Sequence, residues 1–440
     1  MTTETKSTAA TVGARKRLPS AARASAFQKE WFAGLREAAE RGEPFALVNA
    51  DAPQEILRAM GIPYVVNQWW ASVVAAKRLA DRSLDALRSR GFPDYSRQYD
   101  AVAFGASQLP PEVAPWGGLP APDFVIAETS GDSARKVFDL WAESGRTEFF
   151  PFERSSAVTA PARWWELVPH RWEEAFGADR LDLMTAENWE LVRMLEQRTG
   201  RTFELDRLAA VMDLVNEQAE WNRRTRDLLA ATRPAPIGVH DLINSVMIPQ
   251  WHRGTEWARD AARALYQEVS EAVAQGAAVC PDETVRLMWV GRGLWFDMDL
   301  YSRFERDLGA VFVWSMYLAI AADGYPRHGD DPMRALAARF TGFTDQLYMP
   351  GWAEGWYVKE ALNHGVDGVV HLVADDVPGA HFTTEALEAA GIPVLEIRAN
   401  NADPRSTDAG ALDAAITGFI EGRIRPGQQS ARTAQGKGTA

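Results

Sequence analysis

The 440-residue chain carries 60 Asp and Glu against 47 Lys and Arg, a formal net charge of −13, with 46% hydrophobic and 24% charged residues. Such a chain is globular and too long for one ordinary core, so two domains are expected. Its acidity excludes a general affinity for nucleic acid, whose binders need a basic face, and any anionic ligand needs a local Arg or Lys cluster working against the global field. A single cysteine, Cys280, excludes an internal disulfide framework and any all-cysteine metal cluster held by this chain alone.

In chain order, residues 1–25 are small, polar and basic, without the apolar stretch of a secretory signal. No run approaches the roughly 18 apolar residues that span a bilayer, and a cytoplasmic protein without membrane contact is the expectation. A first helix is predicted over about 25–42, stopped by Gly42. "PFALVNADAPQEILRAMGIPYVV" then reads strand, helix, strand, the order of a parallel sheet covered by helices. "PAPDFVIAETSGDSARKVFDLWAESG" repeats it to about residue 145, and "RTEFFPF" adds a strand. From Phe203 to about Gln275 the pattern becomes two long amphipathic helices separated by "RPAPIG" at 233–238. Strands return in "TVRLMWVG", "GAVFVWSMY", "DGVVHLVA" and "IPVLEIRA". The predicted organisation is a disordered basic tail (1–25), an N-terminal α/β domain (26–202), a helical connector (203–276), a C-terminal α/β domain (277–425) and a disordered tail (426–440).

Open parallel sheets bind ligands beyond the carboxyl ends of their strands. Those ends fall here at Asn67, Gln68, Trp69 and Trp70, at Ser130 in "ETSGD", at Trp295 in "GRGLW", at Ser315 in "WSMY", at His371 and Asp375 in "HLVADD", and in "ANNADPR" at 399–405. Two facing sheets with an interdomain cleft follow. Asn67 and Gln68 suit either a ligand carbonyl or a helix cap, whereas Trp69 and Trp70 cannot face the same way, which assigns at least one to the core. Arg97, among aromatic residues in "GFPDYSRQYDAVAFG", is either a surface stack or an anion clamp. Asp375 is either part of an acidic turn capping the next helix or a substrate group. Phosphate loops, GxGxxG after a strand, CxxC, HExxH and GxSxG are all missing from the sequence. The seven His are scattered, and no metal site is expected from them.

Seven stretches carry a resemblance by their order and spacing: "LRSRGFPDYSRQYDAVAFG" (87–105), "LPAPDFVIAETSGDSARK" (119–136), "LVNEQAEWNRRTRDLLAATRPAPIG" (214–238), "RLMWVGRGLW" (286–295), "LGAVFVWSMY" (308–317), "GVDGVVHLV" (365–373) and "AAGIPVLEIRANNADPRS" (389–406). Over about residues 45–422 the chain resembles the 2-hydroxyacyl-CoA dehydratase and benzoyl-CoA reductase family. The resemblance implies two flavodoxin-like, doubly wound parallel-sheet domains with a central helical segment. It further implies an acyl-CoA substrate, a homologous partner subunit, a separate ATP-dependent activator and a [4Fe–4S] cluster on three cysteines. Those cysteines would fall near Arg97, Gly131 and Asp375, where this sequence has none. On that reading the chain alone binds no cofactor, and the [4Fe–4S] cluster belongs to the cysteine-containing partner. The family's carboxylate after the early strand is likewise replaced by Asn67 and Gln68.

Three functions remain open to such a chain. It is first read as a cluster-free subunit of a heteromeric enzyme, of lyase or oxidoreductase type, contributing to an acyl-CoA cleft. Asn67, Trp69, Trp70, Arg97, Ser130, Trp295 and Ser315 are then the substrate-binding candidates, with Trp-rich walls suited to an aromatic acyl group. The alternative is a stand-alone, non-redox lyase, hydratase or hydrolase acting on an acyl-CoA or aromatic acid through Gln68, His371 or Asp375, an Asp becoming a base where burial raises its pKa. The third is a non-catalytic scaffolding subunit.

Overall fold

The computed structural model describes residues 18–92, 98–128, 132–143, 145–153, 155–157, 159–374 and 380–430. Among them, eight strands form two all-parallel sheets. The first is built from β1 (Ala46–Val48), β2 (Tyr64–Val66), β3 (Phe124–Glu128) and β4 (Glu148–Phe152), in the order β2-β1-β3-β4. The second contains β5 (Val285–Val290), β6 (Ala310–Ser315), β7 (Gly368–Val373) and β8 (Val394–Arg398), in the order β6-β5-β7-β8. The two orders are the same, second-first-third-fourth, as in doubly wound flavodoxin-like domains. Each therefore reverses direction of build between its first and third strands, β1/β3 and β5/β7. Every residue of β1, β2, β3, β5, β6 and β7 is buried. That is why these strands read as continuous Val, Leu, Ile and Ala runs: helices cover both faces and leave no solvent side to alternate toward.

The first helix spans Pro19–Glu40, beginning earlier than the predicted start near 25. Small residues that read as tail composition are packing residues here: Ala21 and Ala24 are buried, and the Ser20 N–H donates to Glu268 Oε2 at 2.9 Å. At the other end, helical backbone continues through residue 430, beyond the predicted boundary at 425. Instead of two helices, the connector has three, Leu205–Ala231, Val239–Trp251 and Glu256–Ala274. The additional break is at Gly254, with φ +76 and a backbone packed so closely on Val211 that a Cβ would lie 2.6 Å from its side chain.

In "YVVNQWW" the strand ends where the sequence places its end. The strand stops at Val66 and Asn67 opens the helix Asn67–Ala76, so Trp69 and Trp70 are consecutive helical residues. Both are buried, and both pack against Phe32 of the first helix and Trp116, with Phe32 and Trp70 stacked at 4.9 Å. Among the described residues, no helix is long and apolar enough to cross a membrane.

Candidate functional site

The carboxyl ends of both sheets converge on one polar cluster. On the N-terminal side, the helix Gln98–Ser107 brings Tyr99 and Asp100 against the residues that follow β2. Gln68 is held at both ends of its amide: Oε1 accepts from the Ala50 N–H (2.8 Å) and Nε2 donates to Asp100 Oδ1 (3.0 Å). Tyr99 donates its hydroxyl to the Gln68 carbonyl at 2.7 Å, and Asn67 Nδ2 donates to the Asp100 carbonyl at 3.2 Å. Asn67 Oδ1 is buried without a hydrogen-bond partner, a state that costs free energy until a donor arrives. At the switch point, the Asn49 side chain accepts from the Glu128 N–H at 3.3 Å and ties the ends of β1 and β3 together.

The opposing wall is the loop after β5. Gly291, at φ +97, passes so close to β7 that a Cβ would stand 2.6 Å from the Leu372 carbonyl oxygen, and only glycine permits this path. The loop then places the Arg292 guanidinium 5.3 Å from the Tyr99 ring centroid and the Trp295 ring 5.5 Å from that of Tyr317. The Gly293 N–H donates to the Tyr317 hydroxyl oxygen at 2.8 Å. Burial, reinforced by Tyr317, pushes the Tyr99 phenol well above its ordinary value even with Arg292 beside it. Tyr99 is thus a neutral hydrogen-bond donor, not a base.

The structure brings together Asn67, Gln68 and Trp295 among the residues singled out from sequence. Trp69 and Trp70 lie on the far side of their helix turn in the aromatic core, Trp69 donating its indole N–H to Gln28 at 3.0 Å. Ser315 is buried where β6 passes into the helix Met316–Asp323. His371 sits inside β7 beneath the helix Ala380–Ala389, its Nδ1 2.9 Å from Thr384 Oγ1, and burial pulls its pKa down to about 4. It does not join the Gln68 group. Arg97, Ser130 and Asp375 lie outside the described residues.

Sequence reasoning missed a second polar cluster that adjoins the first. Glu55, in the helix Gln54–Ala59 after β1, receives Arg253 Nε at 2.6 Å and both Nη groups of Arg339, one to each carboxylate oxygen. The Tyr325 ring lies 5.0 Å from the Arg253 guanidinium and 5.4 Å from that of Arg339. Arg327 stands next to Arg339, its Nη1 donating to the Pro326 carbonyl at 2.7 Å. Asp51, one residue beyond Ala50, reaches Tyr325 electrostatically and links the two clusters. The members come together across 198 and 284 residues, so no local spacing could signal them.

An iron–sulfur cluster needs several soft thiolates, and this donor set does not fit one. Cys280 is buried ahead of β5, at the amino end of its sheet, where its Sγ lies 3.2 Å from the Glu305 carbonyl and desolvation raises its pKa. Among the described residues, no three His, Cys, Asp or Glu are grouped to hold a metal ion.

Paired doubly wound parallel sheets whose carboxyl ends meet at one polar cluster define an α/β protein with two flavodoxin-like domains. Over residues 49–422 the chain matches the family model of the 2-hydroxyglutaryl-CoA dehydratase D-component, and it belongs to that family. It is similar to the (R)-phenyllactyl-CoA dehydratase alpha subunit of Clostridium sporogenes, at 23% identity over 397 residues covering 88% of this chain and 91% of the relative. It is similar also to the lactoyl-CoA dehydratase subunit alpha of Anaerotignum propionicum, at 23% identity over 416 residues, covering 90% and 94%. The (R)-2-hydroxyisocaproyl-CoA dehydratase alpha subunit of Clostridioides difficile is 20% identical over 407 residues, covering 89% and 93%.

Proposed function

We propose that the chain is an alpha-type subunit of a heteromeric 2-hydroxyacyl-CoA dehydratase, and that it supplies the acyl-CoA cleft while a cysteine-containing homologous subunit holds the [4Fe–4S] cluster. The observation that carries this reading is the combination of a near full-length match to alpha subunits with a polar cluster at the strand ends and a single, remote cysteine. In this role the thioester lies between the two walls. Asn67 Oδ1, buried and unpartnered, accepts from a substrate hydroxyl. The Trp295 and Tyr317 rings pack against the acyl group, and an aromatic acyl group gains most from that wall. Gln68 and Tyr99, each already bonded within the chain, keep the crevice in shape and exclude water. Reduction by an ATP-dependent activator is addressed to the partner.

Affinity purification of the tagged chain from its native host tests the assignment. The expected result is a stoichiometric, cysteine-containing homologue with iron and labile sulfide in the complex, and no iron on the chain purified alone. A lone homo-oligomer without such a partner overturns it, as does stoichiometric iron and sulfide on this polypeptide by itself. Aerobic turnover of aryl- or alkyl-CoA esters by the isolated chain would replace it with a stand-alone enzyme.

A further inference from the structure

The cluster around Glu55 holds more positive charge than it balances. Arg253, Arg327 and Arg339 are each 1% exposed, and these three guanidiniums share one buried carboxylate. Glu55 commits both oxygens to Arg253 Nε and the two Nη groups of Arg339. Left over, with no hydrogen-bond partner, are Arg327 Nε and Nη2, one whole edge of that guanidinium, and Arg339 Nε. The charged neighbour acting on Arg327 is another cation, Arg339, and burial draws its pKa only to about 9, so it stays charged at neutral pH. Gln346 adjoins this group through Phe176. The Arg327 guanidinium lies 5.8 Å from the Phe176 ring centroid, and a Cβ on Gly342 would stand 2.3 Å from the same ring and 3.0 Å from Gln346 Nε2. Gln346 is fully buried with both ends of its amide unpartnered. An enclosed cation is costly unless an anion or a dense set of acceptors meets it, and among the described residues no carboxylate acts on Arg327.

We propose that this enclosure is a halide site, in which the free edge of Arg327, Arg339 Nε and Gln346 Nε2 hold one chloride ion beside Phe176. A single negative charge is what the group lacks: with it, three guanidiniums face two anions instead of one. Donors this deeply buried exclude an occupant with a tail, which would have to reach solvent, whereas a monatomic anion is enclosed whole. Arg339, with both Nη groups on Glu55, has no fork left for the two oxygens of a planar anion, and a spherical ion accepts its one remaining N–H from any direction. The site joins distant stretches: Glu55 follows β1, Arg253 belongs to the connector, and Arg327 and Arg339 belong to the C-terminal half. Bound chloride therefore stabilises the packing of these stretches, because the unfolded chain has no such site. The inference goes beyond the thioester reading and needs neither that substrate nor a partner subunit.

Thermal unfolding of the full chain, with sodium gluconate exchanged for sodium chloride at constant ionic strength, tests the site, gluconate being too large to enter it. The midpoint should rise by about 2 °C or more and grow with the logarithm of chloride concentration, as mass action on one site requires. Arg327→Met should remove that rise, and Arg327→Lys should keep part of it. A midpoint indifferent to the exchange overturns the proposal, as does an equal rise in Arg327→Met, which places the chloride elsewhere. A larger rise with formate than with chloride at the same concentration overturns the halide assignment. Where neither variant folds, crystals of the wild-type chain grown in bromide decide. An anomalous peak within hydrogen-bond reach of Arg327 Nη2 and Gln346 Nε2 supports the site, and a map without that peak overturns it.

Discussion

At the scale of single residues, burial decides the protonation of two histidines, His371 and His252. His371 is held at about 4 by desolvation, and His252, buried beside Arg58, at about 3. Both are neutral in the folded chain near pH 7, whereas an unfolded histidine titrates near 6.5. The unfolded chain therefore binds more protons as pH falls below about 6.5. Stability from these groups is complete above that value and is lost down to about pH 4 and 3, by about 1.4 kcal/mol per pH unit for each residue. Denaturant midpoints measured from pH 7 to 4 should drop steadily, and His371→Asn should flatten part of the slope. An unchanged slope would remove this account. Tyr99→Phe tests another single contact: deleting the hydroxyl that donates to the Gln68 carbonyl should cost about 1 kcal/mol, and thioester affinity should fall with it if the crevice keeps its shape through this bond.

Individual elements depend on features that sequence periodicity cannot report. The buried strands were legible as short apolar runs bounded by Gly and Pro, because strands covered on both faces have no other way to read. The helix at Asn67 was not, since it follows β2 without a break and has no side-chain cap. In the β5 loop, Gly291→Ala should destabilise by about 1–3 kcal/mol, because a left-handed φ and a 2.6 Å approach to Leu372 leave no room for a Cβ. Equilibrium unfolding checks it, and a neutral result would mean that β5 and β7 can separate at no cost. The helix Gln54–Ala59 carries Glu55 into the arginine cluster, and Glu55→Gln should cost about 3–5 kcal/mol by leaving the guanidiniums without a carboxylate. A loss below about 1 kcal/mol would show that solvent, not Glu55, neutralises them.

For the whole molecule, the two sheets are joined in one continuous apolar core that runs from Phe32 to Ile424, so the halves should unfold in a single transition. Calorimetry showing two well-separated transitions would contradict that. Sequence alone determined the class of the fold, the eight strands and the family, because these rest on local apolar runs and on the order of short segments. It also determined that thiolates for a cluster are missing. Tertiary structure alone decided which polar residues meet: Tyr99 and Arg292 between the two sheets, and Glu55 with Arg253 and Arg339. Local pattern encodes which face of an element is buried, but a charge pair hundreds of residues apart leaves no periodic trace, since its partners are brought together only when both sheets and the connector pack.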